Sequence, residues 1–138
     1  MSYLIDTNVI SEMSKTNPNK AVSDWIKSTP ETELYLSVIT IGEIILGIQK
    51  LSEKTRRSKL SSWLNELISV GFTDRILDIN IGVMQAWGKM FAILPRSLPI
   101  QDTFIAATAI AHNLTVVTRN IRDFNCIPGL SIINPWEV

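Results

Sequence analysis

Apolar residues along the chain alternate between short unbroken runs and helical spacings. Tyr3-Leu4-Ile5 lacks strand-like alternation, as expected of a strand covered on both faces, and predicts a first strand over 2–6. Thr7 or Asn8 suits the cap of a short helix through Met13. Thr16-Asn17-Pro18-Asn19 reads as a turn, with Pro18 suited to the first position of a helix over 20–28 that Thr29-Pro30 stops. A second strand is predicted over 34–37 and a helix over 40–51, with Ile41, Ile44, Ile45 and Ile48 at helical spacing. The next helix, over 53–70, is basic in its first half and apolar in its second, and Gly71 fits its C-terminal cap. A weak third strand covers 76–79, and Asn80 suits the cap of a helix over 81–94. A further helix starts near Asp102 and ends near His112-Asn113, followed by strands over 114–118 and 130–133 with a polar turn between them. Short apolar strands alternating with helices predict an α/β three-layer sandwich around a parallel sheet. A length of 138 residues fits one domain over 1–138.

Composition adds bounds. An apolar fraction of 46% against 19% charged residues supports a packed core and argues against disorder. Cys126 is the only cysteine and cannot form an internal disulfide, so a reducing, cytoplasmic setting fits. No signal-peptide pattern opens the chain. The apolar stretch 38–48 carries Glu43 and is too short to span a bilayer, so no membrane association is expected. Formal net charge is zero, so attraction to a polyanion requires a local basic patch.

Four acids carry the candidate chemistry. Each has an ordinary structural explanation: Asp6 as a helix cap, Asp102 as a first-turn acid favoured by the helix dipole, Asp123 as a turn residue. Glu43 is harder to explain, because it stands among apolar neighbours in a helix that reads as largely buried. In a parallel sheet, ligands bind beyond the carboxyl ends of the strands where strand order reverses. Asp6 ends the first strand and 118–123 follow the fourth, so neighbouring strands would bring both segments to one pocket. Two carboxylates about 5 Å apart repel by roughly 3 kcal/mol at an effective dielectric near 20. A cation, a basic side chain or raised pKa values must offset that repulsion. An all-oxygen acidic set suits Mg2+ or Mn2+, and no His/Cys spacing suggests zinc.

Asp6-Thr7-Asn8, Ser37 with Glu43, Asp102 at the head of Thr103-Phe104-Ile105-Ala106-Ala107, and Thr118-Arg119-Asn120-Ile121-Arg122-Asp123-Phe124 together resemble the PIN-domain ribonucleases. Within that group they most resemble the toxins of VapBC-type toxin–antitoxin pairs. The resemblance covers essentially the whole chain. It implies sheet order 3-2-1-4-5, a homodimer or a larger complex with a VapB-type antitoxin, and cleavage of RNA dependent on Mg2+ or Mn2+. It maps the metal-binding acids onto Asp6, Glu43, Asp102 and Asp123, and a water-orienting hydroxyl onto Thr118. Asn8 and Asn120 match amides that buttress the site, with Thr7 and Ser37 supporting it. The implied chemistry is in-line attack by metal-activated water, leaving a 5′-phosphate and a 3′-hydroxyl.

Arg119, Arg122 and Asn120 are candidate substrate contacts, with Arg96 a further member, against surface ion pairing as the alternative. The basic run 54–59 suits either a solvated helix face or an extended RNA contact. Ile44, Ile48, Leu51, Trp63 and Leu67 are candidates for a groove that takes an antitoxin helix, and the resemblance implies an arginine of that partner reaching toward the acids. Trp25, Trp63 and Trp87 read as packing residues rather than base-stacking ones. A lone histidine, His112, excludes a two-histidine acid–base mechanism and suits a helix end. A non-catalytic binding module of the same fold is the main rival. A haloacid-dehalogenase-type phosphatase would need an acid where Asn8 stands, and a phosphorelay receiver would need an acid cluster and a lysine that are not evident.

Overall fold

The computed structural model describes residues 1–138. Five strands form one sheet: β1 (Tyr3–Ile5), β2 (Leu34–Ser37), β3 (Ile76–Leu77), β4 (Thr115–Val117) and β5 (Ile132–Ile133). Their order is β3-β2-β1-β4-β5, and all four pairings are parallel. Seven helices connect and cover them: α1 (Thr7–Glu12), α2 (Lys20–Ser28), α3 (Val38–Gln49), α4 (Lys54–Glu66), α5 (Ile81–Phe91), α6 (Ile100–His112) and α7 (Ile121–Phe124). The expected α/β class, parallel sheet and strand order are all present.

Strand side chains alternate between two cores. Ile5, Leu36 and Val117 pack with Val9, Val22, Ile44, Ile48 and Leu64 from α1 to α4. On the opposite face Leu4 and Val116 pack with Ile105, Ala106, Ala109 and Phe124 from α6 and α7, and with Met90 from α5. These runs lack polar alternation because both faces of the sheet are covered. Trp25 sits edge-on to Tyr3 at 5.0 Å, and Trp87 stacks on Phe104 at 5.5 Å. Trp87 also donates to Thr103 Oγ1 at 2.9 Å, so both tryptophans serve packing. No helix is long and apolar enough to cross a membrane.

Several element ends differ from expectation. Asn19, not Pro18, starts α2: its side chain accepts from Val22 N at 3.2 Å. The helix predicted over 53–70 stops at Glu66 and widens into a single π-type turn, Leu67–Gly71. Gly71 is therefore not a left-handed cap. Phe72 buries its ring in the core, Asp74 takes the positive φ (62°), and Arg75 donates to the carbonyls of Gly71 and Leu34 at 2.6 Å each. That guanidinium supplies the donors a helix C-terminus needs. α5 is shorter than predicted, ending at Phe91 before a turn. α6 ends as expected, at Asn113 in the left-handed region (φ 54°).

Candidate active site at the carboxyl ends of β1 and β4

β1 lies between β2 and β4, so strand order reverses at the junction of β1 and β4. Asp6 follows β1 at that point, tied to the sheet by its N–H on Val117 O at 2.9 Å, and is only 3% exposed. Its Oδ1 accepts from Thr7 N at 2.8 Å, so Asp6 caps α1. Thr7 and Asn8, expected as caps, instead lie inside the first turn, because Asp6 is the last residue with extended backbone. Capping uses one carboxylate oxygen. The other, Oδ2, accepts from Thr118 Oγ1 at 2.8 Å and from Asn8 Nδ2 at 3.3 Å.

Those bonds tie two distant segments together. Thr118 is fully buried, and its hydroxyl also accepts from Asn120 N at 3.0 Å. Asn8 Oδ1 accepts from Arg119 N at 3.2 Å. Asn8 thus supports the site with its amide, whereas Asn120 does so through its backbone and leaves its side chain exposed.

Glu43 reaches the cluster from α3. Thr7 Oγ1 lies 2.7 Å from Glu43 Oε1 and 3.3 Å from Thr40 Oγ1. A hydroxyl carries one proton, so with Thr7 donating to Glu43, Thr40 donates to Thr7. Ser37 is fully buried and caps α3 by accepting from Ile39 N at 3.0 Å; it orients the helix rather than touching a carboxylate. The expectation of a largely buried α3 fails. Only Thr40, Ile44 and Ile48 are buried, with Ile39 and Ile41 partly so against the cores, while Ile45 and Leu46 are 45% and 54% exposed. Glu43 is half-buried, so burial alone does not single it out.

Asp102 lies in the first turn of α6 and Asp123 in α7. Burial lifts the Asp102 carboxyl to about 7, helped by the charge of Asp6 and by a proton-sharing contact with Asp123 and its charge, with Glu43 adding further repulsion. Asp6 is also raised, chiefly by burial, against the hydrogen bonds from Thr118 and Thr7 that favour its charged form. The four expected acids therefore sense one another electrostatically. None is ion-paired within the chain: the salt bridges are Met1–Glu33, Lys15–Glu12 and Lys20–Asp24.

An all-oxygen donor set with strong mutual repulsion and no basic partner fits a hard divalent cation in type and charge. No three of these side chains stand close enough to hold an ion as they are. Asp102 favours its protonated form, so proton and cation compete for its carboxylate oxygens.

One nearby feature was missed from the sequence, and one, docking of Trp136 near the C-terminus against the domain, was expected from it. Glu12 is 7% exposed and accepts from Lys15 Nζ and Asn19 N, both at 2.8 Å, fastening α1 to the start of α2. The cue was an acid just before the Asn17-Pro18-Asn19 turn. Arg119 places its guanidinium 4.9 Å from the centre of the Trp136 ring, so the C-terminal segment docks beside the site.

Two clefts reach the acids. One, between α3 and α4, is lined by Thr7, Glu43, Leu51, Arg56, Leu60 and Trp63 over Ile44 and Ile48. Of the expected groove residues, Ile44 and Ile48 are mainly core, and Leu67 packs on the core outside the lining. The other is a bay beside α7 that brings Arg96, Arg119, Asn120 and Arg122 together next to Asp123. From the basic run, Thr55, Arg56 and Lys59 line the outer end of the first cleft.

The PIN domain model matches residues 3–129. Over 137 residues the chain is 35% identical to VapC ribonuclease Y4jK of Sinorhizobium fredii, covering 97% of each chain. It is 34% identical to Toxin FitB of Neisseria gonorrhoeae, covering 97% of this chain and 98% of that one. Among solved structures it resembles a chain of FitAcB from Neisseria gonorrhoeae, with a TM-score of 0.91 at 33% identity over 99% of both chains. It also resembles a chain of VapBC2 from Rickettsia felis bound to a promoter DNA fragment, with a TM-score of 0.79 at 26% identity, covering 97% and 98%.

Proposed function

The chain belongs to the PIN-domain family, and we propose on that premise that it is an Mg2+- or Mn2+-dependent endoribonuclease acting as the toxin of a toxin–antitoxin pair. One observation carries this reading: four carboxylates lie within electrostatic reach of one another beyond the ends of β1 and β4, none is ion-paired, and burial together with their charge lifts Asp102 to about 7. Relatives similar over nearly the whole length bear ribonuclease and toxin names, which supports the choice of RNA as substrate.

Asp6, Glu43, Asp102 and Asp123 are the groups that would hold the ion. When bound, it supplies charge for the phosphate oxygens and lowers the pKa of a water molecule. The chain's own residues prepare the site. Asp6 is held in one orientation by Thr118, Asn8 and the Thr7 N–H. The Thr118 hydroxyl donates to Asp6, accepts from Asn120 N and is fully buried, so it acts by positioning Asp6 rather than by contacting water. Thr7 holds Glu43 in the same way. Arg119, Arg122 and Asn120 stand where substrate would enter. His112 closes the far end of α6, about 15 Å from Asp102 by helix rise, and has no part in the chemistry.

The α3–α4 cleft suits an amphipathic antitoxin helix, with an arginine from that partner offsetting the acids. A homodimer, or a larger complex with the antitoxin, and a cytoplasmic location complete the reading. A similar solved structure from Klebsiella pneumoniae is a toxin–antitoxin complex, which supports the partner assignment.

Product ends test the chemistry. Cleavage of an end-labelled structured RNA should leave 5′-phosphate and 3′-hydroxyl termini. Termini carrying 2′,3′-cyclic phosphate would overturn hydrolysis by water.

A further inference from the structure

The bay beside α7 shares no lining residue with the α3–α4 cleft and has a chemistry of its own. Three arginines from separate segments meet there: Arg96 from the loop before α6, Arg119 after β4, and Arg122 in α7. None is in a salt bridge. Two are already oriented. The Arg96 guanidinium donates to the Arg122 carbonyl, and the Arg119 guanidinium rests 4.9 Å from the centre of the Trp136 ring. Asn134 spends its carbonyl oxygen on Trp136 N at 3.0 Å, which leaves its amide N–H2 to face a ligand. The bay therefore offers N–H donors and positive charge. Its charged acceptors are Asp123, on the side of the acid cluster, and Glu137.

A ligand for such a surface is anionic and rich in oxygen acceptors, and arginine forks match phosphate oxygens bidentately. Asp123 belongs both to the bay and to the acid cluster, so a strand whose scissile phosphate sits at the acids has a neighbouring phosphate within the bay. We propose that this bay is a second phosphate site. It holds the next phosphodiester along the RNA strand from the one that is cut, with Arg96 as a contact in addition to Arg119 and Arg122. This rests on the nuclease reading above. Because the chain carries no net charge, the bay also supplies the local positive field that an RNA strand needs.

The test is equilibrium binding of a fluorescein-labelled single-stranded RNA across a salt series. It uses the Asp6→Asn background, in which chemistry is disabled. Each single-strand phosphate contact contributes about 0.7 to the log–log salt slope. The bay holds one phosphate, so the double variant Arg96→Gln/Arg122→Gln should flatten the slope by up to about 0.7 and weaken binding roughly 5- to 10-fold at ~50 mM salt. DNA of the same sequence should lose equally, because the bay reads phosphate rather than sugar. Lys27→Gln, exposed on α2, removes a charge elsewhere and should leave the slope unchanged.

An unchanged slope in the double variant overturns the proposal, as does absence of measurable binding by the parent. Retained RNA binding with lost inhibition by an antitoxin peptide would assign the bay to a protein carboxylate and overturn it too. RNA cutting that persists with arginine-independent binding sinks the bay alone. Arginine-dependent binding without cutting by the Asp6 parent sinks the nuclease reading instead.

Discussion

The cleft between α3 and α4 and the bay beside α7 both end at the acids, yet the first carries five apolar lining residues and the second one. The first sets Leu51, Leu60 and Trp63 over Ile44 and Ile48 beside Thr7, Ser11, Ser14, Arg56 and Glu43. The second has one apolar lining residue, Ile121, among arginines and amides. An apolar wall takes a partner helix, whereas a wall of N–H donors takes a phosphate chain. With the two surfaces separate, a partner can cover the acids from one side without copying the substrate's contacts on the other. What they share is the acid cluster, where the proposed metal ion and the proposed arginine of a partner would relieve the same repulsion.

The largest effects should come from the shared centre. Asp102→Asn removes a ligand from the proposed ion, and electrostatic stabilisation of several kcal/mol is at stake. RNA cleavage should fall roughly 10³-fold at 1.36 kcal/mol per decade, in a protein that still folds. A rate within tenfold of the parent would remove Asp102 from the site. Thr118→Val keeps the side-chain shape but leaves Asp6 Oδ2 without its shortest bond. Losing a group that orients a ligand costs about 10- to 100-fold in metal affinity or activity, readable as a raised metal requirement in the cleavage assay. Unaltered metal dependence would show that the hydroxyl does not set Asp6.

Leu51→Ser separates the two clefts. Antitoxin inhibition should weaken about tenfold, the usual scale for trimming an apolar anchor, while RNA affinity and its salt dependence stay as in the parent. Equal loss of both would mean that the surfaces overlap.

The smallest effect concerns stability. The Asp102 carboxyl is raised from its ordinary 3.8 to about 7, so the folded state favours the protonated form. Its stabilising contribution is complete below the ordinary value and is lost as pH rises toward and through about 7. In EDTA the melting temperature should therefore fall by a few degrees between about pH 5.5 and 8. Mn2+ should restore it most at the higher pH, and Asp102→Asn should flatten the trend. A melting temperature that rises across this range would contradict the account of the cluster.

Much of this was legible in the chain. Unbroken apolar runs mark strands covered on both faces, and Asp6 and Asp102 stand at strand and helix starts, where local pattern is strongest. The Thr118–Asp123 run follows a clear strand, so its approach to Asp6 needed only the β1–β4 pairing. Other features depend on tertiary contacts and leave little local trace. Phe72 drops into the core and Arg75 caps carbonyls from three segments, so the π-type turn is not written in residues 67–71 alone. Glu43 drew notice through apolar neighbours, two of which face solvent, so its place rests on Thr7 rather than on burial. The sequence reading groups Arg96 with Arg119 and Arg122, but its contact with the Arg122 carbonyl depends on the fold.

The most direct test is cleavage of labelled structured RNA by the purified, antitoxin-free protein in EDTA, Mg2+ or Mn2+, beside Asp6→Asn. The account predicts cutting only with metal and its disappearance in the variant. Equal background in both proteins, with the fold intact, would contradict a nuclease centre and leave a PIN-fold binding module.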